Sequence, residues 1–270
     1  MSLKQKVKVI ITDLDGTLLN NNHRVSEYTK TVFRKLSDEN YLIIVATGRH
    51  HLDAMPLLKN LGCLFYLVTS NGGRIHSPKK ELLYSFDIKS ESIKSVLDLG
   101  IDSEFTTVLF QENVWLSNKV NEKLNSFQEE MNYPNEIVDF EKVKDLSAIK
   151  LFFTHDHHHK LLELKDRIMK DHSEEFHYAF SLPFCLEFMD KSVDKSVAIA
   201  RILEKEDRSF EESIAFGDGF NDEKMLVAAG KSLIMENAVE SFKSKLPQME
   251  VISSNEKDGV ARYLSALLLS

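Results

Sequence analysis

The stretch Val9-Ile10-Ile11-Thr12-Asp13-Leu14-Asp15-Gly16-Thr17-Leu18-Leu19 decides the fold. Its apolar run predicts a buried strand. The run ends in two carboxylates separated by a single residue, then Gly and Thr. Charge is costly to bury unless it is paired or bound to a metal. Two acidic groups at the mouth of a buried strand therefore invite a cation. A carboxylate there can attack an electrophile such as phosphorus and form an acyl phosphate, which splits one hard step into two. The second can protonate the leaving oxygen and later take a proton from water. Gly16 lets the chain turn sharply at no steric cost. An isolated Asp-x-Asp is more often an acidic strand tip without function. The apolar strand before it and Gly-Thr after it reverse that balance.

Working outward, apolar runs alternate with helical patterns. Ser26 caps an expected helix to about Glu39, with Val32, Phe33 and Leu36 on its inner side. Tyr41 to Ala46 reads as a second strand, ending at Thr47-Gly48-Arg49. A helix from about His50 to Asn60 follows, then a strand from Leu64 to Thr69, ending at Ser70-Asn71-Gly72-Gly73. This rhythm indicates βαβ units and a parallel α/β sheet. Right-handed crossovers place all three strand ends on one side, the side that holds ligands in open α/β sheets. Asp13, Asp15, Thr47 and Asn71 should therefore converge.

Arg74 to Tyr84 reads as a hairpin turning at Pro78. From about Asp87 to Glu187 strands and helices are mixed, including a helix near Asn121 to Met131, which suggests an inserted α+β domain. The alternation then resumes. Asp194 caps a helix from Lys195, and a short strand over Ser213–Phe216 ends at Gly217-Asp218-Gly219-Phe220-Asn221-Asp222.

Composition narrows the possibilities. The chain has 270 residues, 43% apolar and 28% charged, as in an ordinary globular protein. Its net charge of −8, from 34 basic and 42 acidic residues, disfavours non-specific nucleic-acid binding. An anionic substrate must then be attracted locally, by a metal or a few basic side chains. The two cysteines, Cys63 and Cys185, sit among apolar residues and read as buried free thiols. No signal peptide is expected, and the most apolar stretches are far shorter than the roughly 20 residues of a membrane helix. A cytoplasmic protein without membrane attachment is the expectation.

Three further pieces carry chemistry. The two glycines around Asp218 bend the backbone tightly, and Asp222 falls on the first turn of the next helix. Mg²⁺ wants hard oxygen ligands, and Asp218 with Asp13 would be a minimal set. Alone, the segment would read as a turn and helix cap. Thr47-Gly48-Arg49 offers a hydroxyl beside a helix N-terminus, which suits a phosphate oxygen. Lys195 is badly placed for the helix dipole, and neutralising phosphate and nucleophile charge would explain it.

In this order, Asp13-Leu14-Asp15-Gly16-Thr17, Thr47-Gly48-Arg49, Lys195 and Gly217-Asp218-Gly219-Phe220-Asn221-Asp222 resemble the haloacid dehalogenase superfamily of phosphohydrolases. The insert between the second and third pieces resembles the Cof-type subfamily with its C2B cap. Ser70-Asn71-Gly72-Gly73, Met235-Glu236-Asn237-Ala238 and Asn255 to Val260 extend the likeness over nearly the whole chain. Glu236 and Ser196 depart from the small residue and the Gly usual there. Ala46 to His51, Cys185 to Met189 and Tyr263-Leu264-Ser265 resemble the YigL-like branch, pyridoxal phosphate and sugar phosphate phosphatases.

The resemblance implies a Rossmann-like core over 1–86 and 188–270, and a substrate-selecting cap over 87–187. It implies a Mg²⁺-dependent phosphatase acting on small phosphorylated metabolites, a monomer or weak homodimer. Asp13 would be the nucleophile and Asp15 the general acid and base. Asp13, Asp15 (through its carbonyl), Asp218 and Asp222 would hold Mg²⁺. Thr47 and Lys195 would hold phosphoryl oxygens, and Gly48, Asn71 and Asn221 would line the substrate site. A phosphomutase using the same aspartate, or a silent metabolite-binding module, are the alternative readings.

Other features have plainer readings. His155-Asp156-His157-His158-His159 is expected to be a surface cluster, although its composition suits metal. His50 and His51 read as a solvated helix terminus, with one of them a candidate substrate contact. Trp115, Phe152, Phe153, Phe180, Phe184 and Phe188 are core by default.

Overall fold

The computed structural model describes residues 3–122 and 134–269. The helix expected near Asn121 to Met131 falls outside the described residues from position 123 onward. The chain divides into two units, 1–85 with 194–270, and 86–193.

The first unit begins with a helical turn, α1 (Leu3–Lys6), and then β1 (Val9–Thr12), whose four residues are all buried. Ser26 caps α2 (Glu27–Asp38) by accepting from the Thr29 amide at 3.0 Å, and Val32, Phe33 and Leu36 form its buried stripe. β2 (Leu42–Ala46), α3 (His51–Leu58) and β3 (Tyr66–Thr69) follow. β4 (Arg74–His76) and β5 (Leu82–Ser85) form the expected hairpin. Its turn closes through Ser77, whose amide donates to the Glu81 carbonyl at 2.8 Å.

The second unit is α+β. It contains α4 (Ser90–Leu97), β6 (Thr106–Phe110), β7 (Trp115–Ser117), β8 (Asn135–Ile137), β9 (Lys150–Thr154), α5 (His158–His172), β10 (Phe176–Leu182) and β11 (Cys185–Asp190). Its sheet runs β10-β11-β9-β6-β7-β8. Register places Leu109 opposite Leu151 and Phe153 opposite Leu186, so alternate residues share one face. That face packs with Ile93 and Val96 of α4 and with Leu161, Leu164 and Ile168 of α5. The boundary read from sequence at 187/188 falls inside β11, because that strand stays paired with β10 up to Asp190.

The chain returns to the first unit with α6 (Lys195–Lys205), β12 (Ser213–Gly217), α7 (Glu223–Ala228), β13 (Lys231–Met235), α8 (Glu240–Lys245), β14 (Glu250–Ile252) and α9 (Gly259–Leu268). The first unit's eight strands run β14-β13-β12-β1-β2-β3-β4-β5. Those from β14 to β3 are parallel, and β4 and β5 turn antiparallel. Burial on both faces explains the near-continuous apolar strands. β1 sits between β12 and β2, so the loops after these three strands meet at one sheet end. Among the described residues no helix is long and apolar enough to cross a membrane.

Cys185 is buried, whereas Cys63 is only half-buried beside exposed Leu64. Gly72 holds φ at +113°, and a Cβ there would lie 2.5 Å from the Asp194 carbonyl oxygen. This contact joins the loop after β3 to the residue that caps α6. Gly72→Ala should therefore lower stability by about 2 kcal/mol or more, from backbone strain alone and then the clash. Urea unfolding, with a lower midpoint and unchanged slope, checks it.

Candidate active site

β1 delivers Asp13 to the sheet end with its amide still donating to the Phe216 carbonyl at 3.0 Å. The residue is 5% exposed. Gly16, at φ +73°, turns the chain back against the loop after β12, and a Cβ there would sit 2.3 Å from Asp218 Oδ2. Thr17 Oγ1 donates to Asp218 Oδ1 at 2.8 Å, so the two loops are joined directly.

Lys195 is the first residue of α6, with Asp194 accepting from the Ser196 amide as its cap. Its Nζ lies 2.6 Å from Asp13 Oδ1 and 2.7 Å from Asp222 Oδ1, inside a pocket where its side chain is 1% exposed. Asp222 Oδ2 accepts from the Asp218 and Gly219 amides, both at 3.0 Å. Asp222 thus holds both the lysine and the loop that carries Asp218.

Asp13, Asp218 and Asp222 each offer an oxygen within 4.8 Å of the others. Three carboxylates against one ammonium leave two excess negative charges in a poorly solvated place. Burial, and then the neighbouring Asp222 carboxylate, hold the Asp13 carboxyl well above its ordinary range, although Lys195 opposes them. Burial also pushes Asp218 up to about 6, against the hydrogen bond from Thr17. Burial alone would lower the Lys195 ammonium, but Asp13 and Asp222 outweigh it and raise it. Hard oxygen donors with unneutralised charge are the donor set of a divalent cation such as Mg²⁺.

Asp15 faces elsewhere. Arg49 grips it as a fork, Nε to Oδ2 and Nη2 to Oδ1, both at 2.7 Å. His23 Nδ1 lies 3.2 Å from the same Nη2 and 3.5 Å from Asp15 Oδ1. The Asp15 and Arg49 side chains are 39% and 30% exposed, so solvent screening leaves this pair worth about 1 kcal/mol or less.

The remaining expected residues form a polar rim. Thr47, at the end of β2, is buried and accepts from the Arg49 amide at 3.1 Å. The Asn71 amide donates to the Thr47 carbonyl at 3.0 Å, and Asn221 Nδ2 donates to Asn71 Oδ1 at 3.1 Å. Gly48 backs onto Asn71, whose Oδ1 would be 3.1 Å from a Cβ at that position. Asn237 Nδ2 donates to the Gly16 carbonyl at 2.7 Å, and Asn255 Nδ2 to the Leu19 carbonyl at 2.8 Å.

Sequence reasoning missed the grip of Arg49 on Asp15. It also missed Thr17, Asn237 and Asn255 as struts. All lie in quoted motifs, but the pairings span up to 236 positions and no local pattern announces them. Ser196 donates its hydroxyl to Asp194, and Glu236 accepts from Lys257 at the rim, so both departures from the usual residue have local partners. His50 and His51, expected to be solvated, are each 6% exposed, and His50 caps α3 by accepting from the Leu52 amide. His157, His158 and His159 are exposed, as expected for a surface cluster, whereas the His155 side chain is only 7% exposed.

The sequence profile of the haloacid dehalogenase-like hydrolases matches residues 10–264. A Buchnera aphidicola (subsp. Baizongia pistaciae) protein, named among the phosphatases without a substrate, is 34% identical over 260 residues, 96% of this chain and 97% of its own. A Yersinia pseudotuberculosis protein named HMP-PP phosphatase is 31% identical over 258 residues, 96% of this chain and 94% of its own. The crystal structure of a haloacid dehalogenase-like hydrolase from Bacteroides thetaiotaomicron shares the fold, with a TM-score of 0.84 at 23% identity, covering 97% of this chain and all of that one.

Two outcomes follow from the charge arrangement. Lys195→Met leaves three buried carboxylates without their cation and should cost about 3 kcal/mol of unfolding free energy, read by denaturant titration. The folded chain keeps a proton on Asp218 that an unfolded aspartate releases near pH 4, so this group's contribution is lost as pH rises through about 6. Without divalent cations, Asp218→Asn should gain melting temperature relative to the parent chain across that window, measured at each pH by calorimetry.

Proposed function

The chain belongs to the haloacid dehalogenase-like hydrolases and is an enzyme of the phosphatase class, and we propose that it is a Mg²⁺-dependent hydrolase of small organic phosphates working through a phosphoaspartyl intermediate. The observation that carries this reading is the buried ammonium of Lys195 held between Asp13 and Asp222 with Asp218 alongside. Phosphoryl transfer needs mainly positioning and charge neutralisation, and this cluster supplies both.

In this reading Asp13 Oδ attacks phosphorus, the P–O bond to the leaving group breaks, and its electron pair goes to that oxygen. Asp15 gives the oxygen a proton. Water then attacks the aspartyl phosphate, Asp15 takes back a proton, and Asp13 and inorganic phosphate are released. Lys195 and Thr47 hold phosphoryl oxygens, and Gly48, Asn71 and Asn221 line the rim. Asp13, Asp218, the Asp15 carbonyl and, directly or through water, Asp222 are the groups that would hold Mg²⁺. When bound, the cation neutralises the phosphate and draws it to the nucleophile. Asp222 also keeps Lys195 and the 217–222 loop in place.

The unit of residues 86–193 is proposed to select the organic part of the substrate. Pyridoxal 5′-phosphate is the first compound to test, on the strength of the short stretches shared with that branch, and sugar phosphates are second. The HMP-PP named for the Yersinia relative belongs in the same panel. Isomer formation from a hexose phosphate would instead identify a phosphomutase, and no turnover anywhere in the panel a binding module.

Asp13→Asn separates chemistry from folding. Losing the nucleophile should lower turnover about 10³-fold or more. Removing one of the crowded buried carboxylates should leave the protein melting no lower than its parent. Phosphate release and calorimetry on the same preparations check both. Chelation of divalent cations should abolish activity, and added Mg²⁺ should restore it.

A further inference from the structure

Among the described residues of the first unit, three buried histidines have no part in the reaction as described. His50, His51 and His76 are 6%, 6% and 4% exposed. His51 opens α3 on the buried stripe that continues through Ala54 and Leu58. His76 ends β4, where register pairs it with Leu67 of β3 and Leu82 of β5. Both positions are buried, and an apolar side chain would pack there without the cost of burying ring nitrogens. Instead the two imidazoles meet, with ring centroids 5.1 Å apart and planes inclined by 37°. Each brings a ring nitrogen within 4.8 Å of one on the other.

We propose that His51 and His76 chelate a transition-metal cation of the zinc type, at a site separate from the oxygen cluster of Asp13, Asp218 and Asp222. Two imidazoles on one tetrahedral zinc, with Zn–N at about 2.0–2.1 Å, have ring centroids about 5 Å apart. The pair already stands at that spacing, so a turn of the rings brings both nitrogens onto one cation. Imidazole is a donor suited to zinc, copper and nickel, whereas Mg²⁺ takes carboxylate and water oxygens. The chain thus offers two donor sets of different chemistry, one of hard oxygens and one of nitrogens.

His50 supports the pair without being a ligand. Its Nδ1 accepts from the Leu52 amide at 3.3 Å, and the tautomer that this bond assigns carries its proton on Nε2. Neither nitrogen is then left to give to a metal. Its ring lies 4.2 Å from that of His51, tilted by 35°, and walls the pair on one side. The ligands also sit on fixed elements, which precise metal geometry requires. His50 caps α3 directly before His51, and β4 is bonded to a strand on either side. Two protein ligands leave coordination positions open, and water or a small anion fills them.

Calorimetric titration of the full chain with Zn²⁺, in excess Mg²⁺ to occupy the oxygen cluster, tests the assignment. The parent should bind one equivalent of Zn²⁺ that Mg²⁺ does not displace. His51→Gln and His76→Gln should each weaken it about 100-fold or more, because even an outer partner of a ligating histidine is worth about 10- to 100-fold. Asp218→Asn and His157→Gln should keep it, which separates this site from the oxygen cluster and from the exposed histidines. Co²⁺ in place of Zn²⁺ should give the parent a visible absorption band that both histidine variants lack. Circular-dichroism melting without metal shows whether each variant folds, and His51→Leu, with an apolar side chain at the buried position, repeats the loss if His51→Gln does not. Undiminished zinc binding in folded His51→Leu and His76→Gln, or no zinc bound by the parent beyond what His157→Gln removes, overturns the proposal. No turnover enters these measurements, so the phosphatase reading stands or falls separately.

Discussion

The first unit is organised around one buried ammonium. Lys195 stands between Asp13 and Asp222 with essentially no access to water, and Asp218 adds a third carboxylate within reach. A buried charge without a partner costs several kcal/mol, so the ammonium is tolerable only beside carboxylates, and the crowded carboxylates only beside the ammonium. That mutual dependence ties together a strand end, a helix start and a turn that are up to 209 positions apart, from Asp13 to Asp222. The parallel order β12-β1-β2 puts the pieces within hydrogen-bond distance, and the bare backbone of Gly72 lets the loop after β3 press against Asp194, just before the lysine.

The rest of the site is scaffolding for that cluster. Thr17 ties the first loop to Asp218, Asn237 ties it to the loop after β13, and Asn221 ties the loop after β12 to Asn71. Asn255 reaches back from the chain's last quarter to the Leu19 carbonyl. Charges that are already held in place need little reorganisation when charge develops in a reaction, which is where such preorganisation acts. The excess negative charge is the complementary feature. It is a donor set that would suit a divalent cation, and burial, with the crowding of the carboxylates, holds Asp13 and Asp218 above their ordinary protonation ranges.

Two aspartates that are neighbours but one live in different media. Asp13 ends a strand inside the sheet and is 5% exposed, while the side chain of Asp15, one turn of backbone further on, is 39% exposed in the grip of Arg49. In the proposed reaction, burial would suit Asp13 as the group that meets phosphorus next to a cation. In the same proposal, partial exposure with a weak partner would suit Asp15 as the group that gives and recovers a proton.

By itself, the sequence determined the α/β alternation, the strand ends that carry Asp13, Thr47, Asn71 and Asp218, and the mixed character of the insert. These are local signals: apolar runs as long as a strand, caps such as Ser26 and Asp194, and Gly beside an acidic residue. Tertiary structure alone decided which charges pair. Nothing near Arg49 in the chain announces that it will fork onto Asp15 rather than point to solvent, and nothing near His50 and His51 announces their burial. The last strand of the insert likewise runs on to Asp190, opposite Phe176 at the start of its antiparallel partner β10, past the boundary that its apolar run suggests. Local propensity is written in the neighbours of a residue, whereas ion pairing and burial depend on which distant strand lies alongside, and only the assembled sheet settles that.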